Sequence, residues 1–277
     1  MLRAVFLLIL ATALVPLGDT AGKLLVEGQG IAPEFVAWSR FALGVLLLLP
    51  FLGRSWPTRA NVSDWRLWLR AALIAGGITS ILTALKTEPL ANVFGAFFVG
   101  PMISVVLSAL ILKEKVSLGR ALLLVAGFAG VLLVVRPGFG MTPGLGFAFL
   151  AGVFYGAYLF SGRWLADVAP PRTLLLTQLV GGAILTLPLG VLFWPTISLE
   201  VAALVALSAA ASAAGNLFLI LAYGRASASQ LAPFIYFQLI FATIFGRVVF
   251  NDIPDTLTFA GLALLIASGF ASLALRK

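Results

Sequence analysis

Apolar residues run through the chain in ten long segments that short polar connections separate. Each segment holds about 20 residues, the length that a helix needs to cross the hydrocarbon core of a bilayer. In lipid, the backbone N–H and C=O groups of a helix can all bond within their own segment. No segment shows the alternation of apolar and polar residues, with a period of two, that is typical of a β-barrel strand. The pattern therefore predicts helices. The predicted spans cover residues 4–25, 34–52, 67–86, 90–112, 117–135, 143–165, 172–193, 199–223, 228–250 and 256–275.

Composition supports an all-α integral membrane protein. The chain is 61% hydrophobic and 10% charged, with a mean hydropathy of +1.12, which is too little charge to cover a soluble domain. It has no Cys and no His, which removes disulfides, thiolate chemistry and most zinc sites. We therefore expect no cofactor, no metal, no catalytic residue and no enzymatic activity.

The charge distribution predicts the orientation in the membrane. The net charge is +8, but the basic residues fall between apolar runs, so topology explains them better than nucleic-acid binding does. Most of them lie in alternate connections, which predicts that both termini are in the cytoplasm. The apolar N-terminus looks like a signal peptide, but the many similar segments that follow favour an uncleaved first span.

A tripeptide points to an internal repeat. Trp56-Pro57-Thr58 recurs at Trp194-Pro195-Thr196, at an offset of 194 − 56 = 138 residues. We interpret this as a duplication of five spans, with repeats at 1–138 and 139–277. Five is odd, so the second copy must be inverted, and residues 173–224 accordingly hold no Lys or Arg. The same offset aligns Gly18 with Gly156, Pro33 with Pro171, Gly44 with Gly182, Pro50 with Pro188 and Gly77 with Gly215.

Three motifs of the first half return in altered form in the second. The first half has Arg40-Phe41 in its second span, K-E-K-V (Lys113 to Val116) after its fourth, and A-G-F-A-G (Ala126 to Gly130) in its fifth. The second half has N-D-I-P (Asn251 to Pro254) and S-G-F-A-S (Ser268 to Ser272). In order and spacing the whole chain resembles the EamA-type branch of the drug/metabolite transporter superfamily. It departs from internal symmetry at Gln178, which stands opposite Arg40, and at Asp252, which stands opposite Glu114.

The resemblance implies a secondary transporter of small metabolites, commonly an amino-acid exporter of the bacterial inner membrane. It also implies that spans 1, 3, 4, 6, 8 and 9 surround a central cavity. We therefore expect alternating-access export of amino acids, including large neutral and aromatic ones, by a chain for which a monomer is sufficient. The alternative is a multidrug or other metabolite transporter of the same fold. An inverted two-fold chain supplies no ring of charges or carbonyls for an ion channel.

Charges within the spans need a specific explanation because they are costly in a membrane. Asp19 stands four residues before Lys23, so it either pairs with that lysine near the outer interface or faces the cavity as a coupling or substrate-amine site. Arg40 either snorkels outward or pairs with Asp19. It is the only basic residue that we place well inside a span, so a strongly anionic sugar phosphate suits the chain less well than an amino acid does.

Aromatic and neutral polar residues complete the candidate cavity. An apolar pocket with a few hydrogen-bonding groups suits a medium-sized, partly apolar solute. A small-residue stripe at Ala96, Gly100, Ser104 and Ser108 instead favours close helix packing. The predicted substrate-binding residues are Asp19, Phe97, Tyr155, Tyr158, Asn216, Phe234, Tyr236 and Gln238.

Overall fold

The computed structural model describes residues 2–52, 63–114, 116–165, 167–223, 225 and 231–271. These residues form ten helices joined by short connections, as the hydropathy pattern predicts. Trp56-Pro57-Thr58 and the neighbouring Arg54 and Arg59 lie outside the described residues.

The helix bounds agree with the predicted spans to within about one turn where both are described. Seven of the helices are long and apolar enough to cross a membrane, and residues 234–250 and 256–271 form shorter apolar helices. The ten are α1 (Leu2–Lys23, continued by a π-helical turn, Leu24–Gly28), α2 (Pro33–Leu52), α3 (Trp65–Leu85), α4 (Leu90–Ile111), α5 (Leu118–Val135), α6 (Pro143–Trp164), α7 (Pro171–Leu192), α8 (Leu199–Tyr223), α9 (Phe237–Phe250, preceded by a 3₁₀ turn, Ala232–Tyr236) and α10 (Thr256–Ala271).

Local chemistry explains several of the helix ends. The Asp64 carboxylate accepts a hydrogen bond from the Arg66 backbone N–H and caps α3, as a side-chain acceptor does at a helix start. Helix α5 ends at Arg136 and α9 ends at Asn251, both in the left-handed conformation, with φ of 50° and 59°. Such a residue terminates a helix because it turns the chain out of the helical path.

Contacts between helix ends define two faces of the bundle. On one face, which we call the terminal face, the start of α1 packs with the end of α8 through Ala4, Leu8 and Ala222. On the opposite face, Lys23 at the end of α1 donates to the Glu88 carbonyl oxygen at 2.7 Å. The helices alternate in direction between these faces, so α1 begins and the described part of α10 ends on the same side.

The main helix contacts recur when each helix is replaced by the helix five positions earlier or later in the chain. Helix α1 packs against α8 as α6 packs against α3, while α2 pairs with α7 and α5 pairs with α10. The α2–α7 contact repeats at residue level: a Cβ on Gly44 would meet Leu179 at 3.3 Å, and a Cβ on Gly182 would meet Phe41 at 2.6 Å. Position 41 lies 138 residues before position 179, the offset seen in the sequence.

Ion pairs tie the connections together on the opposite face. Lys23 is buried and pairs with Glu27 at 3.1 Å, and Glu88, whose carbonyl oxygen accepts from Lys23, is buried as well. Arg136 pairs with Asp255 and joins α5 to the start of α10. The Arg136 guanidinium and the Thr258 backbone N–H lower the pKa of the Asp255 carboxyl to about 2, so this surface pair is charged at neutral pH.

Candidate substrate cavity

A cavity with a volume of about 100 Å³ lies between the helices near the middle of the bundle. Helices α1, α2, α3, α4, α6, α8 and α9 line it, which are the six helices that the resemblance implies together with α2. The lining residues are Ala11, Val15, Asp19, Arg40, Ile74, Gly77, Ile78, Ile81, Phe97, Tyr155, Ser212, Asn216, Leu219 and Gln238.

A buried ion pair forms the charged wall of the cavity. Arg40 Nη1 donates to Asp19 Oδ1 at 2.6 Å, and both side chains are buried. Arg40 Nε donates to Ser208 Oγ at 2.8 Å, and Nη2 donates to the Gly18 carbonyl oxygen at 2.8 Å. Of the sequence-based alternatives, Asp19 therefore pairs with Arg40 and not with Lys23, because α2 brings a guanidinium across to it.

Hydrogen bonding lets this pair persist within the bundle. A buried charge is tolerated when a partner of opposite sign and further hydrogen bonds replace water. Ser208 also donates to the Gly18 carbonyl oxygen at 2.9 Å, so α1, α2 and α8 share one network, which we call the Arg40 cluster (Gly18, Asp19, Arg40 and Ser208). The cluster gives the cavity both signs of charge at one wall.

Aromatic rings form another wall. Phe97 lies at the point where α4 is interrupted, between the helical segments Leu90–Phe97 and Val99–Ile111. Its ring centroid is 4.7 Å from that of Tyr155, and Tyr155 stacks on Tyr158 at 5.9 Å with 24° between the planes. The aromatic wall of Phe97 and Tyr155 offers a flat surface for an aromatic or heterocyclic group of a solute.

Neutral polar side chains line another part of the cavity. Asn216 Nδ2 donates to the Ser212 carbonyl oxygen at 2.8 Å, one turn earlier in α8, which leaves its amide oxygen as an acceptor at the cavity. Gln238 reaches the cavity from α9 and is buried. Five of the eight predicted binding residues thus line the cavity: Asp19, Phe97, Tyr155, Asn216 and Gln238.

The other three predicted residues lie behind the cavity. Phe234 packs in the cluster around Leu8 and Leu231 at the terminal face. Tyr236 packs against Phe98, with ring centroids 5.1 Å apart. Tyr158 OH donates to Gln178 Oε1 at 2.7 Å. Phe234 and Tyr236 lie in the 3₁₀ turn that precedes α9, and Tyr158 lies about one turn after Tyr155 on α6. Local helix geometry and rotation therefore decide which side chain faces the cavity.

A second buried arginine was missed from the sequence. Arg70 lies in the second turn of α3 and is only 8% exposed. Its Nη1 donates to Ser161 Oγ and to the Tyr158 carbonyl oxygen, both at 3.0 Å. Its Nη2 donates to Gln178 Oε1 at 3.2 Å, and its Cζ lies 4.0 Å from the Tyr158 ring centroid. The residues Arg70, Tyr158, Ser161 and Gln178 form what we call the Arg70 cluster.

The fold and cavity define a multi-pass membrane protein with a partly polar cavity between its helices. The profile of the EamA-like transporter family matches residues 2–136 and again residues 142–273. The chain belongs to this family, so it is a membrane transporter of a small-molecule solute and not an enzyme, as the sequence predicts.

Named relatives and a solved structure cover nearly the same length. An S-adenosylmethionine uptake transporter of Rickettsia prowazekii (strain Madrid E) is 26% identical over 264 residues, covering 94% of this chain and 88% of the relative. A riboflavin transporter of Brucella anthropi is 27% identical over 256 residues, covering 86% and 87%. A protein crystal structure superimposes with a TM-score of 0.64 at 18% identity, covering 99% of this chain and 98% of that one, which shows the fold alone.

Removal of the Tyr155 ring tests the aromatic wall. We expect Tyr155→Ala to weaken solute binding roughly 2- to 12-fold, because aromatic pairs contribute about 0.5–1.5 kcal/mol beyond their buried area. The apparent Michaelis constant of transport measures this. Phe147→Ala is the matched control, since Phe147 lies on the same helix and is 41% exposed on the outside of the bundle. Equal effects of the two substitutions would contradict a role of Tyr155 at the cavity.

Proposed function

We propose that the protein is an alternating-access secondary transporter of amino acids and of metabolites that carry an amino-acid group. The single observation that supports this best is the cavity that combines the Asp19–Arg40 ion pair with the Phe97–Tyr155 aromatic wall. A zwitterion presents an ammonium group and a carboxylate, which are complementary to the carboxylate and guanidinium of that pair. Solutes with large neutral or aromatic side chains suit the rest of the cavity, whose lining is apolar and aromatic.

The named relatives favour a solute class that includes metabolites with an amino-acid group as well as amino acids themselves. S-adenosylmethionine, which the Rickettsia relative takes up by its name, has an α-amino carboxylate and a flat heterocycle. Riboflavin has a larger flat ring system and no carboxylate, so it shares only the aromatic part of the argument. Transport of riboflavin, drugs or other metabolites is the second candidate function. The direction that we proposed from the sequence is export, whereas the Rickettsia relative is named for uptake.

We further propose that residues 1–138 and 139–277 are inverted five-helix repeats. The helix packing pattern, the contacts at Gly44 and Gly182 and the two matches to the family profile support this. The charge asymmetry of the connections supports a cytoplasmic terminal face in a bacterial inner membrane. A monomer is sufficient because both halves of the cavity come from one chain.

Alternating access then follows from how the clusters join the helices. The Arg40 cluster links α1, α2 and α8, and the Arg70 cluster links α3, α6 and α7. The two sets of three helices each combine spans from both sequence halves, and α2 meets α7 between them. Relative rotation of the two sets about this contact opens the cavity to one face at a time.

Counterflow in proteoliposomes tests the proposal. Vesicles are loaded with one unlabelled solute, and uptake of labelled phenylalanine, methionine, threonine, S-adenosylmethionine, riboflavin or a lipophilic cation is followed with and without a pH gradient. We expect exchange of an amino acid or of S-adenosylmethionine above the level of empty vesicles. Counterflow does not depend on the direction of net transport, so it identifies the solute before export and uptake are distinguished.

The control is protein with Tyr155→Ala in the same vesicles, which should exchange the same solutes at a higher half-saturating concentration. Exchange of riboflavin alone, or of lipophilic cations alone, would replace the amino-acid proposal by the second candidate. Folded protein that exchanges none of these solutes would contradict both.

A further inference from the structure

Arg70 is a buried cation without a counter-ion in the described part of the chain. All the groups that accept its hydrogen bonds are neutral: a backbone carbonyl oxygen, the Ser161 hydroxyl and the Gln178 amide oxygen. The ion pairs between described residues have Lys23, Arg40, Arg66 and Arg136 as their cations. Arg70 Nε is buried and has no hydrogen-bond partner within the described residues.

Comparison with the Arg40 cluster shows that the Arg70 cluster lacks an anion. At the offset of 138 residues, Arg40 corresponds to Gln178, and Arg70 corresponds to Ser208. The Arg40–Ser208 hydrogen bond is therefore the counterpart of the Arg70–Gln178 hydrogen bond, with the arginine moved to the other helix. Asp19, which neutralises Arg40, corresponds to Ala157. The two clusters occupy equivalent places in opposite halves of the bundle, and only the Arg40 cluster contains its anion.

An unpaired guanidinium in this position is costly. Burial of a charge without a partner of opposite sign is unfavourable even when neutral groups accept its hydrogen bonds. Charges within membrane spans for this reason commonly mark a ligand pathway. Guanidinium binds carboxylates with paired, charge-assisted hydrogen bonds, and such bonds are stronger than those that Arg70 makes to neutral groups.

The position of Arg70 connects it to the cavity. Its guanidinium lies against the Tyr158 ring, Tyr158 stacks on Tyr155, and Tyr155 lines the cavity. Tyr158, which is half-buried, thus connects Arg70 to the cavity wall through two ring contacts. In the proposed alternating access, separation of the two helix sets at the terminal face extends the cavity toward Tyr158.

We propose that Arg70 is a second solute-binding residue, which takes up the carboxylate of the transported solute in the half of the membrane nearer the terminal face. This inference rests on the proposed function, because it names the group of the same solute that Arg70 recognises. The chemistry required is a carboxylate on an aromatic or apolar body. Arg40 is already neutralised by Asp19, whereas Arg70 is neutralised only when such a solute is present.

Two probes separate the charges of an amino acid. 3-Phenylpropionate keeps the ring and carboxylate of phenylalanine without its ammonium group, and phenethylamine keeps the ring and ammonium group without the carboxylate. Thermal unfolding of the full-length protein in detergent is followed with each probe, and each probe is also used to compete with phenylalanine counterflow. The unfolding assay reports binding whether or not the vesicles transport, so a failure of the proposed function is distinguished from a failure of this inference.

Gln178→Glu is the most informative variant. It places a carboxylate where the Gln178 amide oxygen now accepts from Arg70 at 3.2 Å, so it keeps the hydrogen bond and supplies the missing counter-ion. We expect it to fold at least as stably as the parent chain and to lower the apparent affinity for 3-phenylpropionate about tenfold or more, because the internal carboxylate occupies Arg70. Affinity for phenethylamine should stay the same or rise. Arg70→Gln should cause the same loss of carboxylate affinity.

Arg66→Gln is the matched control. Arg66 lies one turn before Arg70 on α3 but pairs with Asp64 at 2.6 Å near the membrane surface, so it should change neither affinity. Unchanged 3-phenylpropionate affinity in Gln178→Glu would overturn the proposal, as would a parent protein that 3-phenylpropionate does not stabilise. An equal loss of affinity for both probes would also overturn it, because that result reflects a general disturbance of the site. If Arg70→Gln does not fold, Gln178→Glu decides the question alone.

Discussion

Arg40→Gln is expected to destabilise the protein by about 3–5 kcal/mol and to abolish transport, because it leaves the buried Asp19 carboxylate without its cation. Water cannot take the place of the Arg40 guanidinium, because Asp19 and Arg40 are both buried among α1, α2 and α8. Thermal unfolding in detergent and counterflow in vesicles measure the two effects. The same loss is expected from Asp19→Asn, which leaves the guanidinium as the unpaired charge.

The double substitution Asp19→Asn with Arg40→Gln provides the diagnostic comparison. It removes both charges together, so it should recover a large part of the stability that either single substitution loses. Arg136→Gln is the control for ion pairs in general: its partner Asp255 is exposed, and the expected cost is at most about 1 kcal/mol. A double variant that loses the sum of both single effects would show that Asp19 and Arg40 act independently.

Gly156→Ala is expected to destabilise the protein by about 1–3 kcal/mol through overpacking. A Cβ at this position would lie 2.5 Å from the Gly100 carbonyl oxygen and 2.8 Å from the Ile103 Cβ. Because the first obstacle is backbone, α4 and α6 must separate, and this shifts Phe97 relative to Tyr155 across the aromatic wall. The predicted small-residue stripe of α4 therefore serves close packing at Gly100, as the sequence analysis favoured.

Gly146→Ala is the control on the same helix. Its added Cβ would have only the flexible end of Met141 as a neighbour, at 3.5 Å. There the better helix propensity of alanine should stabilise the protein by up to about 1 kcal/mol. Opposite signs for the two substitutions in thermal unfolding would confirm that contact geometry and not helix propensity sets the effect at Gly156. Stabilisation by both would contradict the close α4–α6 crossing.

The sequence was sufficient to predict the helices but not which faces they present. The length of each apolar run fixes a span, since a shorter or interrupted run leaves backbone groups unsatisfied in lipid. Phe234, Tyr236 and Tyr158 show the limit of this reasoning. Phe234 and Tyr236 lie in the 3₁₀ turn before α9, and Tyr158 lies on α6, but none of the three lines the cavity. In an α-helix, a rotation of about 100° per residue separates a lining position from its neighbour, and apolar residues on every side of a buried helix remove the amphipathic signal.

The two arginine clusters show a different limit. Arg40 and Asp19 lie 21 residues apart and could be paired by reasoning about charge within a span, although Lys23, four residues from Asp19, was the nearer partner in sequence. Arg70 could be interpreted from sequence only as a basic residue near a helix start, where positive charge is common. The repeat offset does carry a signal, because it aligns Arg70 with Ser208 and Gln178 with Arg40, but that alignment acquires meaning only when both pairs are seen in contact.

The amino-acid sequence by itself determined the number of predicted spans, their approximate bounds and the resemblance to a transporter family. These properties depend on hydrophobicity and local backbone bonding, which act over one helix at a time. Only the tertiary structure decided that Asp19 pairs with Arg40, that Arg70 is buried beside Tyr158, and that five of the eight predicted residues line one cavity. Those outcomes depend on which helix faces meet, and small residues such as Gly100, Gly156 and Gly182 set that choice by allowing backbones to approach closely.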